Sequence, residues 1–97
     1  MKKCFTLTGL CHYYGSDFLE KGMKVKLIKE PDNQYDKEAI RVELKGLGKI
    51  GYVANSTHTV LGETMSAGRL YDHMDKKAKA KVLIVTSRGV ICELKED

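Results

Sequence analysis

Ninety-seven residues carrying 17 Lys and Arg against 13 Asp and Glu give a formal charge of +4, which permits contact with an anionic polymer without demanding it. The length suits one core and leaves no room for a motor or a nucleotide-binding fold, so a single domain over residues 1–97 is expected. The longest apolar stretches, around Val82 to Val85 and Val90 to Cys92, fall far short of the roughly 20 residues of a membrane helix, and no membrane partner is expected.

Met1-Lys2-Lys3 is basic like the start of a signal peptide, but Cys4-Phe5-Thr6-Leu7-Thr8 alternates polar and apolar residues where a signal needs an unbroken apolar run. This segment reads as a first strand of a cytoplasmic protein. Gly9-Leu10-Cys11-His12-Tyr13-Tyr14-Gly15 comes directly after it and sets three rings in a row. Single-stranded bases stack on such rings at about 1–3 kcal/mol each; equally, one tyrosine could plug a core and the other lie on the surface. Cys11 beside His12 lacks the paired ligands at short spacing that zinc sites use, and nothing marks a third group for a Cys-His nucleophile. No metal and no cofactor are expected. With three cysteines and no secretory signal a disulfide framework is not expected either, and Cys4 and Cys92 read as small hydrophobes in strands.

Residues 14–21 suggest a helical turn capped by Ser16 or Asp17, with Gly22 past its end. Period-two patterning appears next in Met23-x-Val25-x-Leu27 and in Ile40-x-Val42-x-Leu44, with lysines, Arg41 and Glu43 at the alternate positions. Between them, Glu30-Pro31-Asp32-Asn33-Gln34-Tyr35-Asp36 is far more polar than a connection requires. Pro31 presets a backbone angle, Asp32 and Asn33 can close a turn, and Asp36 can cap the next few residues. Turn chemistry leaves Tyr35 unexplained, so turn and ligand contact remain alternatives for this loop.

Gly46-Leu47-Gly48 joins residues 39–54 into a hairpin, and Ser87-Arg88-Gly89 joins Ala80 to Thr86 with Val90 to Lys95 into a second one. In the interval, Asn55-Ser56-Thr57 offers caps for a short helix over His58 to Leu61, and Ser66 a cap for another through Arg69, Leu70, Tyr71 and Met74. Lys21, Lys24, Lys26 and Lys29 form one basic group and Lys76, Lys77, Lys79 and Lys81 another; either is also how a solvated face looks. The expected architecture is mainly β: a small six-stranded OB-like or SH3-like barrel with two or three short helices, since closing a sheet removes its unpaired edges.

Gly9-Leu10 with the Tyr13-Tyr14 pair, the stretch Glu30 to Asp36 with Ala39-Ile40-x-Val42, and Ile50-Gly51-Tyr52-Val53 together resemble the HIRAN domain family, found fused to eukaryotic DNA translocases and free-standing in bacteria. The stretch Ser66 to Asp72 looks more like the free-standing bacterial members. The resemblance implies a modified OB-like barrel and capture of the free 3′ end of single-stranded DNA. By the matching motif, Asp36 would accept a hydrogen bond from the terminal hydroxyl while Tyr35 and Asn33 hold the terminal nucleotide. Tyr13 would stack, or Tyr14 if the register shifts by one, and Tyr52 belongs to the same candidate set. Where the translocase version has an arginine and an aromatic residue after Gly-Leu, this chain has Cys11 and His12. One phosphate contact is thereby missing, although His12 could stack or, protonated, meet a phosphate. Lys24, Lys26, Lys29 and Lys49 are general candidates for a phosphate path.

The expected function is a module recognising single-stranded DNA, at its free 3′-hydroxyl end, that supplies recognition to a DNA-processing partner or acts in repair or phage defence. The alternative is a protein-interaction or regulatory barrel that has lost DNA affinity. An enzyme is not expected: Asp32 and Asp36 are few carboxylates for a metal-dependent nuclease, and no Walker-type phosphate loop is present.

Overall fold

The computed structural model describes residues 3–10, 17–56 and 58–95. Six strands, β1 (Cys4–Thr8), β2 (Lys24–Lys29), β3 (Ile40–Leu44), β4 (Gly48–Val53), β5 (Lys77–Thr86) and β6 (Gly89–Lys95), are joined by one helix, α1 (Ala67–Tyr71). Every strand pairing is antiparallel, and the order β1-β4-β3-β2-β5-β6 returns to β1 to close the barrel. The mainly β, OB-like architecture read from the sequence is the one that forms.

Alternation decides which side chains enter. On β2, Val25 and Leu27 are buried between exposed Lys24 and Lys26, as expected of a strand with one wet face. Phe5, Leu7, Leu27, Ile40, Val42, Ile50, Val82, Val90 and Cys92 fill the barrel, and Leu70 of α1 joins them. Cys92 is buried and Cys4 half-buried, both free thiols. Burial, with a smaller contribution from Cys4, pushes the Cys92 thiol up to about 12.

Three expectations are corrected. First, α1 is the only helix among the described residues, so two or three do not form. Over residues 58–61, Ser56 closes a single turn: its carbonyl accepts from Thr59 and Val60 and its hydroxyl from the His58 amide. The β-branched pair Thr59-Val60 favours no continuation, and Gly62 at φ 56° turns the chain away. Met65 must then reach β1, where its amide donates to the Cys4 carbonyl. Second, in the segment 14–21 the described part, residues 17–21, makes turns and no helix; its caps included Ser16, which lies outside the described residues.

Third, β5 begins at Lys77 and not at Ala80, because Lys77 pairs with Ile28 and extends the ladder to β2. Lys77-Ala78-Lys79-Ala80-Lys81 is a period-two pattern whose inward residues are alanines, and neither Lys nor Ala favours strands intrinsically. A count of β-branched residues therefore misses the first turn of pleat.

Candidate functional site

The loop from Glu30 to Ala39 is closed at its base by the Glu30 amide donating to the Ala39 carbonyl at 2.8 Å. Inside it, Asn33 does the folding. Its Oδ1 accepts from the amides of Tyr35 and Asp36 at 2.9 and 3.0 Å, and its Nδ2 donates to Glu30 Oε1 at 2.9 Å. This is the self-closing turn open to a short polar side chain. Asn33 therefore shapes the loop, its amide oxygen already accepting twice.

Asp36 is braced on both oxygens. Oδ1 accepts from the Glu38 amide at 2.9 Å, and Oδ2 from Asn55 Nδ2 at 2.8 Å. Asn55 Oδ1 in turn accepts from the Gly68 amide, 2.8 Å away, in the first turn of α1, where Ser66 caps the Arg69 amide. Asn55, expected to cap a helix immediately after it, instead ties Asp36 to α1. Each carboxylate oxygen has two lone pairs, so Asp36 keeps accepting capacity for a ligand hydroxyl.

Tyr35 stands at the other extreme, 95% exposed at the loop's crest. Its backbone is fixed by Asn33 while its ring touches solvent. A phenol ring exposed on a loop braced in this way offers a face on which a planar group can stack.

Beneath the loop, Glu30 gathers four partners. Oε1 accepts from Asn33 and, at 2.8 Å, from the Tyr52 hydroxyl, while Oε2 faces Arg41 at 3.4 Å and Lys49 at 3.8 Å. Lys49 also donates to the Tyr52 hydroxyl at 2.9 Å, and Arg41 Nε lies 2.7 Å from Glu43. Burial alone would raise the Glu30 carboxyl, but the hydrogen bonds from Asn33 and Tyr52, the charge of Lys49 and the Arg41 contact outweigh it and hold the group below its ordinary range. Tyr52 is raised, by burial first and by its bond to Glu30, against the opposing bond from Lys49.

A bulge makes this cluster possible. In a regular strand Lys49 and Tyr52 would face opposite sides. The β3–β4 register shifts at Val42/Glu43, so that Val42 meets Gly51 and Glu43 meets Lys49. Ile50 and Gly51 both turn inward, and Lys49 and Tyr52 both emerge on the outer face. Gly51 is required there: a Cβ would lie 2.5 Å from the Thr8 carbonyl oxygen of β1.

Of the residues singled out from sequence, Asn33, Tyr35, Asp36, Lys49 and Tyr52 thus meet in one frame centred on Glu30. Lys29 sits apart from Glu30, its ammonium 4.1 Å from the centre of the Tyr71 ring of α1, a cation–π contact. His12, Tyr13 and Tyr14 lie outside the described residues. Glu30 and Arg41 received no site role from the sequence, while Asn55 was expected only as a helix cap and Tyr71 only as a helix residue. Glu30 was visible only as the first letter of a polar loop, and its partners come from two other strands. Among the described residues, no three His, Cys, Asp or Glu side chains gather as metal ligands, and no helix is long and apolar enough to cross a membrane.

Comparison with known proteins gives a family and a fold. A family model described as the HIRAN domain matches residues 4–88. The crystal structure of the HIRAN domain of human HLTF superposes with a TM-score of 0.67 at 22% identity, covering 94% of this chain and 70% of that one. A protein from Lactobacillus plantarum superposes with a TM-score of 0.61, also at 22% identity, covering 97% of this chain and 93% of that one. No curated protein matches the sequence significantly.

Proposed function

The chain belongs to the HIRAN domain family, a nucleic-acid-binding fold, and from that premise we propose that it recognises single-stranded DNA at its free 3′-hydroxyl end. The observation that carries this reading is the Tyr35 ring, 95% exposed on a loop that Asn33 and Glu30 hold rigid, next to the Asp36 carboxylate. Stacking the terminal base on Tyr35 would cover the ring. Asp36 would then accept a hydrogen bond from the terminal hydroxyl, which a carboxylate does well, while repelling a terminal phosphate. The preference for an end over an internal nucleotide arises from that repulsion. Asn33 contributes by holding the loop, and Tyr52 with Lys49 by supporting it from below. Tyr13, Tyr14 and His12 remain candidates for a second stacking surface. The domain acts in this reading as a binding module for a DNA-processing partner in repair, not as a catalyst.

A second reading, recognition of a partner protein, draws on Ile84 and Val85, which are 53% and 39% exposed near the end of β5.

Fluorescence anisotropy with a labelled strand of about ten nucleotides, within one barrel's footprint, tests the proposal at low salt. Wild type is compared on a 3′-hydroxyl and a 3′-phosphate end, beside Tyr35→Ala and Asp36→Asn. We expect the phosphate to weaken binding, Tyr35→Ala to cost about 1–3 kcal/mol, and Asp36→Asn to erase the discrimination between ends. Equal binding of both ends by wild type refutes end recognition, and no binding at all favours the protein partner.

A further inference from the structure

Two of the expected phosphate contacts, Lys29 and Lys49, are occupied by Tyr71 and by Glu30 with Tyr52. The other two, Lys24 and Lys26, lie on the outer face of β2, and the strand register shows their surroundings. Lys24 stands across from Lys81 and Lys26 across from Lys79, while Lys79 stands across from Lys95 on β6. Lys24, Lys26, Lys77, Lys79 and Lys95 are all exposed, and none has an ion pair among the described residues.

Like charges directly opposite one another destabilise a sheet, so this ladder works against the fold that carries it. Of the acids across from it, Glu43 opposite Lys26 is turned onto Arg41 at 2.7 Å, and Glu93 stands opposite Lys81, leaving Lys26, Lys79 and Lys95 with no acid paired to them among the described residues. Two shallow grooves flank the ladder, of about 400 and 480 Å³, and Lys26, Lys79 and Lys95 line both. Neither contains a Phe, Tyr or Trp ring, the imidazole of His73 in the larger groove being the one ring on either lining, and each has one acid on its lining, Glu43 or Asp75.

The missing rings distinguish between nucleic-acid partners. Single-strand sites combine cations with rings on which unpaired bases stack. A duplex has its bases already stacked and presents mainly phosphates, at one negative charge per about 1.7 Å of axis. Strands lie about 4.8 Å apart, so Lys26, Lys79 and Lys95 span roughly 10 Å across β2, β5 and β6. The same cross-sheet row continues from Lys26 through Glu43 to Lys49 beneath the loop.

We propose that the Lys26–Lys79–Lys95 ladder binds the phosphate backbone of duplex DNA, adjacent to the single strand held at residues 30–39. The duplex arm rests on the single-strand reading only for its placement. Contact is sequence-independent and salt-sensitive, and the domain as a whole recognises a duplex that ends in a 3′ single-stranded tail.

The test compares wild type with the triple variant Lys26→Ala/Lys79→Ala/Lys95→Ala on a tailed duplex, the same tail alone and a longer single strand, each over a salt series. We expect wild type to prefer the tailed duplex to the bare tail. Its salt slope should exceed the variant's by about 2–3 on the duplex, close to 0.9 per phosphate contact. Between about 50 and 200 mM salt that difference amounts to a roughly 40-fold larger loss of wild-type affinity. The variant should bind the bare tail as wild type does and melt no lower, since opposed lysines are removed.

Retained duplex preference and slope in the variant overturn the proposal. So does a variant that loses only the longer single strand, because the ladder would then serve unpaired nucleotides. Wild type that binds the tail equally with and without a duplex sinks the ladder and leaves end recognition standing. Wild type that binds the duplex in a ladder-dependent way but ignores the 3′ hydroxyl does the reverse.

Discussion

A Glu30→Gln substitution keeps the side chain's size and its Oε1 acceptor while removing the charge that faces Arg41 and Lys49. Two hydrogen bonds, from Asn33 at 2.9 Å and Tyr52 at 2.8 Å, change from charged to neutral acceptors. Net values fall from about 1.5–3 to about 0.5–1.5 kcal/mol each, a loss near 1 kcal/mol per bond. The ion pairs at 3.4 and 3.8 Å involve half-exposed cations and add only about 0.2–1 kcal/mol each. Because the four contacts share one carboxylate they are not additive, and we take about 2 kcal/mol as the expected cost. In a chain of this length that lowers the melting temperature by roughly 8–16 °C.

The same substitution predicts a pH signature. The folded Glu30 carboxyl titrates below its ordinary 4.5, so the proton binds the unfolded chain more readily than the folded one. Its stabilisation is therefore complete above 4.5 and is lost as the pH falls through the folded value. Wild type and Glu30→Gln should differ by a constant amount at neutral pH and converge on acidification, since a protonated carboxyl resembles the amide. Thermal unfolding followed by circular dichroism from neutral to acidic pH measures both. Equal melting temperatures at neutral pH, or a gap that persists when the carboxyl is protonated, would refute the role of Glu30 as the loop's charged anchor.

Gly51→Ala should destabilise by about 1–3 kcal/mol or more in urea unfolding, because the new methyl meets the Thr8 carbonyl at 2.5 Å and only a shift of β1 relieves it. Asn55→Ala removes both links between Asp36 and α1; it should cost about 1–2 kcal/mol and speed exchange of the Gly68 amide, and unchanged exchange there would show that the bridge does not hold. Cys92, fully buried with its thiol near 12, should escape alkylation in the folded protein at about pH 8 and react once the chain unfolds; peptide mapping by mass spectrometry reads this directly.

Where periodicity was strong, the sequence was a sufficient guide: β2 and β3 alternate cleanly, and both hairpins turn at the glycine-containing segments expected of them. It misled where an interaction reached across the chain. Asn55 has the chemistry of a cap and acts as one, but for α1, a dozen residues on, and not for the turn beside it. Tyr52 and Lys49 could not be placed on one face by counting, because the bulge that brings them together depends on how β4 meets β3. Glu30 was indistinguishable from the other polar residues of its loop until three strands had assembled around it. A polar loop advertises that something is bound or braced there, and only the partners decide which of its residues does which.

That division explains why a site proposed for DNA is built around an anion. Arg41, Lys49 and the Tyr52 hydroxyl would move independently on an open sheet; the Glu30 carboxylate holds them and Asn33 in one arrangement, at the expense of cancelling part of their positive charge. The loop is thereby braced in one shape and stays net negative, with Glu30, Asp32, Asp36 and Glu38 against Lys37, so in the proposed reading it supplies end recognition through Tyr35 and Asp36 and not attraction for phosphates. Charge without an acidic partner among the described residues lies elsewhere, on Lys26, Lys79 and Lys95 of β2, β5 and β6, beyond the mutually paired Arg41 and Glu43. A surface of that kind attracts phosphates without regard to sequence. If both regions act on one DNA molecule, affinity and its salt dependence should reside in the lysines and end preference in the loop, so that variants in the two should change separate quantities and combine additively.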